Sequence, residues 1–163
     1  MSMRAIIKTP RECSLDEISL FEKLVLEGGE VQAQGLRKRI EQAYKLIFIE
    51  LDNQCVAVGA LKRPNINYKN KVFLKSGEPD AAKDYLYELG YLYTLSESRG
   101  KGIGSFLMKS VINALDGNSC FATTREDNLI MHHLFKKTSF ARLGKAYQSN
   151  NGNYQLGLFT KKS

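Results

Sequence analysis

The chain has 163 residues, 43% of them hydrophobic, and a formal net charge of +7, which predicts a single globular domain covering residues 1–163 and excludes a disordered or fibrous chain. No run of about 18 apolar residues occurs, and the start MSMRAIIKTPRE lacks a signal-peptide core, so we expect a cytoplasmic protein with no membrane partner. The three cysteines are dispersed and lie near no CxxC or histidine cluster, which argues against a disulfide framework and against a metal site.

The first third of the chain predicts one strand followed by two helices. The strand is MRAIIK at Met3–Lys8, and Ser14 with Glu17 forms the S-x-x-E pattern of a capping box, which starts a helix that ends at Gly28-Gly29. A weaker helical pattern spans residues 30–43 and carries the basic run Arg37-Lys38-Arg39. That run is typical of a solvated helix face, with a substrate or partner contact as the alternative.

Two β-rich runs follow, KLIFIEL at Lys45–Leu51 and QCVAVGAL at residues 54–61. The Asp52-Asn53 pair between them predicts a tight hairpin. Residues 62–85 combine prolines, asparagines and basic residues, and we expect a long loop there. Such a loop either covers a ligand site or is a surface excursion.

Residues 86–95 are rich in Tyr and Leu, which predicts a buried strand, and the apolar spacing from Ile103 to Leu115 predicts a helix. The turn between them, RGKGIG at residues 99–104, fits neither a P-loop nor a dinucleotide fingerprint. First-turn amides and the helix dipole attract anions, and glycines let a phosphate approach the backbone. The turn is therefore either a phosphate or pyrophosphate site or a mere tight connection.

The last part of the chain predicts a strand at residues 120–124, a helix at 127–137, and two strands at 140–147 and 153–160 around Asn150-Asn151-Gly152. The Asn-Gly pair is a strong hairpin signal. The predicted element order is β-α-α-β-β-β-α-β-α-β-β.

The glycine turn resembles motif A of the GNAT superfamily of N-acetyltransferases, [R/Q]-x-x-G-x-[G/A], through Arg99, Gly102 and Gly104. The stretch from Asn128 to Phe140 is similar to a second family motif, N-x-x-A-x-x-L-Y-x-K-x-G-F. The resemblance implies the α/β (α+β) GNAT fold. In that fold a central mixed, mostly antiparallel sheet of six to seven strands is splayed between strands four and five and flanked by about four helices.

The resemblance also implies acetyl-CoA as cosubstrate, with no metal. In this family the pantetheine arm lies along the fourth strand and the pyrophosphate meets the glycine turn, while the second motif adds contacts. The cofactor-binding residues implied are Leu92, Tyr93, Thr94, Arg99, Gly100, Lys101, Gly102, Ile103, Gly104, Asn128 and Phe135.

Glu88 lies eleven residues before Arg99, the separation at which histone acetyltransferases of this superfamily carry their base. The resemblance thus implies Glu88 as general base, the alternative being a solvated or lysine-paired carboxylate, and a backbone N–H near Thr94 as oxyanion donor. Phe135 occupies the position of the tyrosine that often protonates the leaving thiolate, and phenylalanine has no proton to give. His132 shares the helical face of Asn128 and is a candidate substitute acid, the alternative being an exposed histidine beside His133. The hydroxyls of Tyr93 and Tyr147 are further candidates, without an argument from spacing.

These features predict an N-acetyltransferase that acts on a primary amine by direct attack in a ternary complex. The acceptor is a small molecule or a protein amine, and the chain is a monomer or homodimer. A non-catalytic CoA-binding or sensing module is the first alternative, suggested by Phe135 and by the fact that the role of Glu88 as base is itself only implied. Acetylation of RNA or a ribonucleoprotein is the second, although no known nucleic-acid-binding module is present and a nucleic-acid partner is not favoured.

Overall fold

The computed structural model describes residues 2–162. The chain forms two compact units, each built from two segments. The first unit contains the chain up to Arg63 and then Leu89–Asp116; the second contains Pro64–Glu88 and the chain from Gly117 onward. None of the helices described between residues 2 and 162 combines the length and hydrophobicity needed to span a bilayer.

The strands are β1 (Met3–Lys8), β2 (Lys45–Leu51), β3 (Gln54–Lys62), β4 (Tyr87–Thr94), β5 (Cys120–Arg125), β6 (Ala141–Arg142), β7 (Tyr147–Gln148) and β8 (Gln155–Lys161). The helices are α1 (Leu15–Gly28), α2 (Leu36–Glu41), α3 (Ile66–Lys75), α4 (Ile103–Leu115) and α5 (Leu129–Lys137), with short 3-10 segments at Pro10–Glu12, Pro79–Asp84 and Ser96–Ser98. The predicted mixed α/β architecture is confirmed.

The first unit is built on the strand order β1-β2-β3-β4. β2 and β3 form the predicted antiparallel hairpin. Its turn residues Asp52 and Asn53 both have positive φ, 51° and 68°. Two consecutive left-handed residues match the twist of the flanking strands, and Asp and Asn tolerate that conformation best after glycine.

The two helices before β2 differ in how well their limits could be predicted. α1 begins at the predicted capping box, in which the Glu17 N–H donates to Ser14 Oγ at 3.1 Å and the Ser14 N–H donates to Glu17 Oε1 at 2.8 Å. α2 is shorter than the predicted 30–43, because Gly35 caps its start with a left-handed φ of 74°. Apolar residues of α1, α2, β2 and β3 form one core cluster with Tyr91 of β4.

Tyr91 interrupts the extended backbone of β4, since its φ is +56°. Its ring packs edge-on against Phe21 with 6.5 Å between centroids, and the Lys62 ammonium lies 4.4 Å from the ring centroid. Arg39 Nε donates to the Tyr91 hydroxyl at 3.3 Å. These contacts hold a bulky residue in a conformation that usually favours glycine.

The second unit starts with the first two residues of β4, which pair in parallel with β5 as Tyr87 with Cys120 and Glu88 with Phe121. This parallel ladder at the start of β4 is expected for a sheet that splays between its fourth and fifth strands. β8 pairs antiparallel with β5, β6 and β7.

The hairpin predicted around Asn150-Asn151-Gly152 is confirmed by the β7–β8 pairing. The predicted strand 140–147, in contrast, is split into β6 and β7. Gly144 lies between them with a φ of +72°, and the adjacent Lys145 N–H donates to the carbonyl oxygen of Ser76 at 2.9 Å. This bond draws the chain out of the sheet between the two short strands.

The prediction of a long loop at residues 62–85 was wrong, because this segment contains the ten-residue helix α3. Asn65 caps that helix by accepting hydrogen bonds from the Asn67 and Tyr68 N–H groups at 2.9 and 3.2 Å. Val72 and Phe73 pack into a buried cluster with Ala82, Tyr85, Phe121 and Leu158. The many asparagines and lysines of the segment favoured a loop in the prediction. The helix is instead stabilised by the packing of its apolar face.

Candidate active site

The glycine turn of the first unit leads from β4 into α4. Gly100 and Gly102 have φ values of +79° and +77°, and Gly102 is the N-cap of the helix. A Cβ atom built at either glycine would meet no other atom within 4 Å. The backbone at both positions is therefore open to a ligand.

The first turn of α4 presents amide groups to this opening. The first intrahelical bond runs from the Phe106 N–H to the Gly102 carbonyl at 3.2 Å, so the Ile103 and Gly104 amides precede any i−4 acceptor. The first turn carries no acidic residue, and Arg99 and Lys101 are exposed beside it. Backbone donors, helix dipole and mobile cations together suit a phosphate group.

Leu92, Tyr93 and Thr94, the predicted pantetheine contacts, are half-buried at the end of β4. The Tyr93 ring packs against the C-terminus of α1, where a Cβ on Gly28 would lie 3.2 Å from the ring. Its hydroxyl donates to Glu27 Oε2 at 3.3 Å. Desolvation raises the pKa of Tyr93, and the nearby Glu27 charge raises it further.

Glu88, the predicted base, belongs to the second unit and is only 4% exposed. The Tyr68 hydroxyl donates to Glu88 Oε2 at 2.8 Å. Tyr68 belongs to α3 and is 42% exposed, whereas the carboxylate that its hydroxyl contacts is buried. The alternative of a solvated carboxylate is therefore wrong for Glu88.

Tyr147 of β7 lies within electrostatic reach of the same carboxylate. Burial raises the pKa of Tyr147 to about 12, with the charge of Glu88 as the second cause. Burial, followed by the charge of Glu88, also raises the pKa of Tyr68. Both phenols therefore stay protonated at neutral pH. Sequence reasoning missed Tyr68 because the segment that carries it was predicted to be a loop.

The residues of the second motif lie on α5 or at its start. Asn128 is exposed and caps α5, since its Oδ1 accepts from the Met131 N–H at 3.2 Å. Phe135 is 1% exposed and stacks on Phe159 with 4.8 Å between ring centroids. The ring of Phe135, at the motif position where the family often has tyrosine, is therefore buried in the core.

His132 is half-buried on the same helix. Its Nε2 lies 3.2 Å from the Arg125 carbonyl oxygen and 4.0 Å from a carboxylate oxygen of Glu126. Its ring lies against Phe159, with 5.1 Å between centroids. The ring nitrogen that faces Arg125 is therefore already engaged.

The predicted site residues thus fall into two groups. The first unit contains the predicted pyrophosphate and pantetheine contacts, Leu92, Tyr93, Thr94, Arg99, Gly100, Lys101, Gly102, Ile103 and Gly104. The second unit contains Glu88, Asn128, His132 and Phe135.

The sequence profile of the acetyltransferase (GNAT) family matches residues 14–140. The chain belongs to this family. Its GNAT membership makes it an acyltransferase that uses acetyl-CoA as acyl donor. No curated protein matches the sequence significantly.

Solved structures of other proteins share this GNAT fold. An acyl-CoA N-acyltransferase from Pseudomonas aeruginosa is 14% identical with a TM-score of 0.70, covering 98% of this chain and 99% of its own. The ribosomal-protein-S18-alanine N-acetyltransferase from Escherichia coli is 10% identical with a TM-score of 0.67 and coverages of 96% and 92%. The protein yncA from Salmonella typhimurium, solved with its cofactor acetyl-CoA, is 13% identical with a TM-score of 0.63 and coverages of 98% and 93%. At these identities the likeness establishes the fold.

The residues of the first unit fit the acyl donor of a GNAT enzyme. The space beside Gly100 and Gly102, which a side chain would fill, is open. The backbone N–H groups of the first turn of α4 suit a diphosphate. Across residues 2–162, no group of three or more His, Cys, Asp or Glu side chains is placed to hold a metal ion.

Proposed function

We propose that this GNAT enzyme transfers the acetyl group of acetyl-CoA to a primary amine by direct attack in a ternary complex. The observation that carries the proposal is the open glycine turn at the N-terminus of α4, with Gly100 and Gly102 free of any Cβ contact. Bound acetyl-CoA supplies an activated acetyl group as a thioester. The turn from Arg99 to Gly104 would hold its diphosphate, and the backbone of Leu92, Tyr93 and Thr94 its pantetheine arm. Asn128 and Phe135 are retained as further predicted contacts.

Glu88 is the proposed general base. An amine attacks only in its neutral form, so the ammonium form of an acceptor must lose a proton near neutral pH. Glu88 offers a buried carboxylate whose Oε2 is held by the Tyr68 hydroxyl. The N–C bond forms as the C–S bond breaks. One proton passes from the ammonium to Glu88 and then to solvent, and the second N–H proton ends on the CoA thiol.

The cysteines support direct attack over an acyl-cysteine intermediate. Burial raises the pKa of Cys55 to about 11 and that of Cys120 to about 12, and it also raises the pKa of Cys13. A thiol that stays protonated is a poor nucleophile near neutral pH.

The departing thiolate needs no strong acid, because a CoA thiol is a tolerable leaving group. Phe135 has no proton to offer, and a neutral His132 that donates its Nε2 proton to the Arg125 carbonyl has no second one. His132 therefore remains in the proposal as an acid only in its imidazolium form. A His132→Gln variant with unchanged turnover would remove it.

For the acceptor we propose a small-molecule or protein amine, handled by a cytoplasmic monomer or homodimer. The net charge of +7 disfavours strongly cationic acceptors. The alternative RNA acceptor is suggested by two basic stretches, the run Arg37-Lys38-Arg39 and the segment from Lys62 to Lys83. Arg37 Nε bonds Glu22 Oε1 at 3.0 Å, and Arg39 bonds the Gln32 and Gln34 carbonyl oxygens at 2.8 and 2.9 Å. Two of the three cations of this run are thus engaged within the first unit, so the run itself does not support an RNA surface.

The test is a panel of primary amines, incubated with acetyl-CoA while free CoA thiol is followed. We expect thiol release with at least one amine and lower turnover in Glu88→Gln, most strongly at low pH, with acetyl-CoA affinity unchanged. Glu50→Gln on β2 serves as a matched control and should behave as wild type. Acetyl-CoA binding by calorimetry without thiol release from any amine would favour the non-catalytic CoA-binding module. An unaltered pH–rate profile in Glu88→Gln would exclude Glu88 as the base.

A further inference from the structure

We infer that Tyr68 is a positioning residue for Glu88: its hydroxyl fixes the orientation of that carboxylate and stabilises the ionised form that accepts a proton. The inference rests on the proposed function of Glu88 as base. Tyr68 belongs to α3, a helix that the sequence did not predict and that lies between β3 and β4 in chain order. Its hydroxyl oxygen lies 2.8 Å from Glu88 Oε2.

Helix α3, which carries Tyr68, is fixed by a side-chain cap and by buried contacts. Asn65 caps the first turn of α3, and Phe73 is fully buried against Tyr85 and Phe121, with ring centroids 5.7 and 5.2 Å apart. Lys69, next to Tyr68, is 8% exposed and donates from Nζ to the Tyr85 carbonyl oxygen at 3.0 Å. The helix therefore places the phenol against Glu88 without depending on a mobile loop.

The direction of the hydrogen bond follows from the neighbours of the phenol. Glu88, when ionised, can only accept, so the proton of Tyr68 points toward it. The Tyr68 hydroxyl is therefore the donor in this hydrogen bond and the Glu88 carboxylate is the acceptor.

The phenol acts on the ionisation of Glu88 because it donates to the charged form. The Tyr68 hydroxyl of α3 donates to this carboxylate, and Tyr147 of β7 lies within electrostatic reach of it. Both tyrosines stay protonated at neutral pH, so the Tyr68 hydroxyl keeps the proton that it donates to the carboxylate. Loss of that hydroxyl disfavours the ionised carboxylate, which is the form that takes a proton.

The decisive variant is Tyr68→Phe, which removes one oxygen and keeps the ring. We expect the acidic limb of the kcat profile to move to higher pH by about one unit, with a fall in kcat of about tenfold below that limb, the size of effect expected when a charged group loses a hydrogen bond. KM for acetyl-CoA should stay as in wild type, and the melting temperature at neutral pH should fall by about 3–5 °C, because a carboxylate whose folded-state pKa rises by about one unit stabilises the fold less above that pKa. Tyr154→Phe, in the same unit, removes the same atom from a tyrosine whose ring lies 3.8 Å from the Arg125 guanidinium carbon, and should leave the profile unchanged.

A double variant distinguishes the two ways in which the idea could fail. In the Glu88→Gln background, adding Tyr68→Phe should cause no further loss of kcat, because the phenol acts through the carboxylate. If Glu88→Gln lowers turnover but Tyr68→Phe leaves the pH profile in place, the positioning role is wrong while the base assignment survives. If Glu88→Gln has full activity, the base assignment itself is wrong.

A measurement without turnover tests the same point. Carboxyl carbon NMR of the protein labelled at glutamate, with Glu88→Gln to assign the signal, follows the titration of Glu88 directly. Its midpoint should move to higher pH in Tyr68→Phe and not in Tyr154→Phe. An identical midpoint in wild type and Tyr68→Phe would overturn the inference even if no amine acceptor had been found.

Discussion

Replacing Gly102 by alanine should separate the two roles of the glycine turn, backbone conformation and ligand access. Gly102 has a φ of +77°. An alanine there costs about 1–2 kcal/mol in the left-handed region, partly offset by about 0.4–1 kcal/mol from the loss of unfolded-state freedom. We therefore expect a net loss of about 1 kcal/mol, which lowers the melting temperature by about 2–4 °C in a chain of this size.

Gly117 offers a matched control at the other end of α4. Its φ is +81°, and a Cβ there also meets nothing within 4 Å. Gly117→Ala should therefore lower the melting temperature by a similar amount. The 13-residue helix separates the two glycines by about 20 Å, so the control alters no group at the N-terminus of the helix.

The variants should differ in their affinity for acetyl-CoA, measured by calorimetry at one fixed ionic strength because screening weakens phosphate binding. In Gly102→Ala the methyl group enters the open space above the turn and keeps a phosphate oxygen from at least one amide. A hydrogen bond to a charged group contributes about 1.5–3 kcal/mol, so Kd should rise by about 10- to 100-fold. Equal affinity in Gly102→Ala and Gly117→Ala would refute the assignment of the turn as the phosphate site.

Two further predictions concern the second unit. Asn128→Ala should lower the melting temperature by about 2–4 °C through loss of the helix cap, worth about 1 kcal/mol, whereas Asn128→Ser should keep the cap. Both should weaken acetyl-CoA binding, and wild-type affinity in Asn128→Ser would remove Asn128 from the cofactor site. The hydrogen bonds from Arg142 hold the pKa of Glu126 below its ordinary value of 4.5, so the pair stabilises the fold above about pH 4.5 and less as pH falls through the lowered pKa. The stability difference between wild type and Glu126→Gln, about 1 kcal/mol or less for a partly exposed pair, should be constant above pH 4.5 and shrink below it in urea titrations. A difference that grows on acidification would contradict the sign of the shift.

Local signals in the sequence predicted the parts of the fold that depend on local chemistry. The Asp52-Asn53 turn and the Ser14–Glu17 capping box depend on residues within four positions of one another, and both were predicted correctly. The glycine turn from Arg99 to Gly104 was placed correctly between strand and helix for the same reason. Its role in phosphate binding stays a prediction.

Features that depend on distant partners were not predictable in this way. α3 owes its stability to packing of Val72 and Phe73 against residues far along the chain, so its polar composition read as a loop. The contact between Tyr68 and Glu88 joins residues twenty positions apart on different elements. The split of the predicted strand 140–147 came from a bond between Lys145 and Ser76, which no periodicity could indicate.

The left-handed backbone of Tyr91 changes which face of the sheet each later side chain of β4 occupies. Side chains alternate between the faces of a sheet only while the backbone stays extended, and a single left-handed residue resets that alternation. Odd and even positions before Tyr91, such as Leu89 and Gly90, therefore cannot be used to assign faces to Leu92 and Tyr93 after it. A redesign of this strand therefore has to treat the residues before and after Tyr91 as two short strands, and the inward and outward positions have to be assigned separately in each.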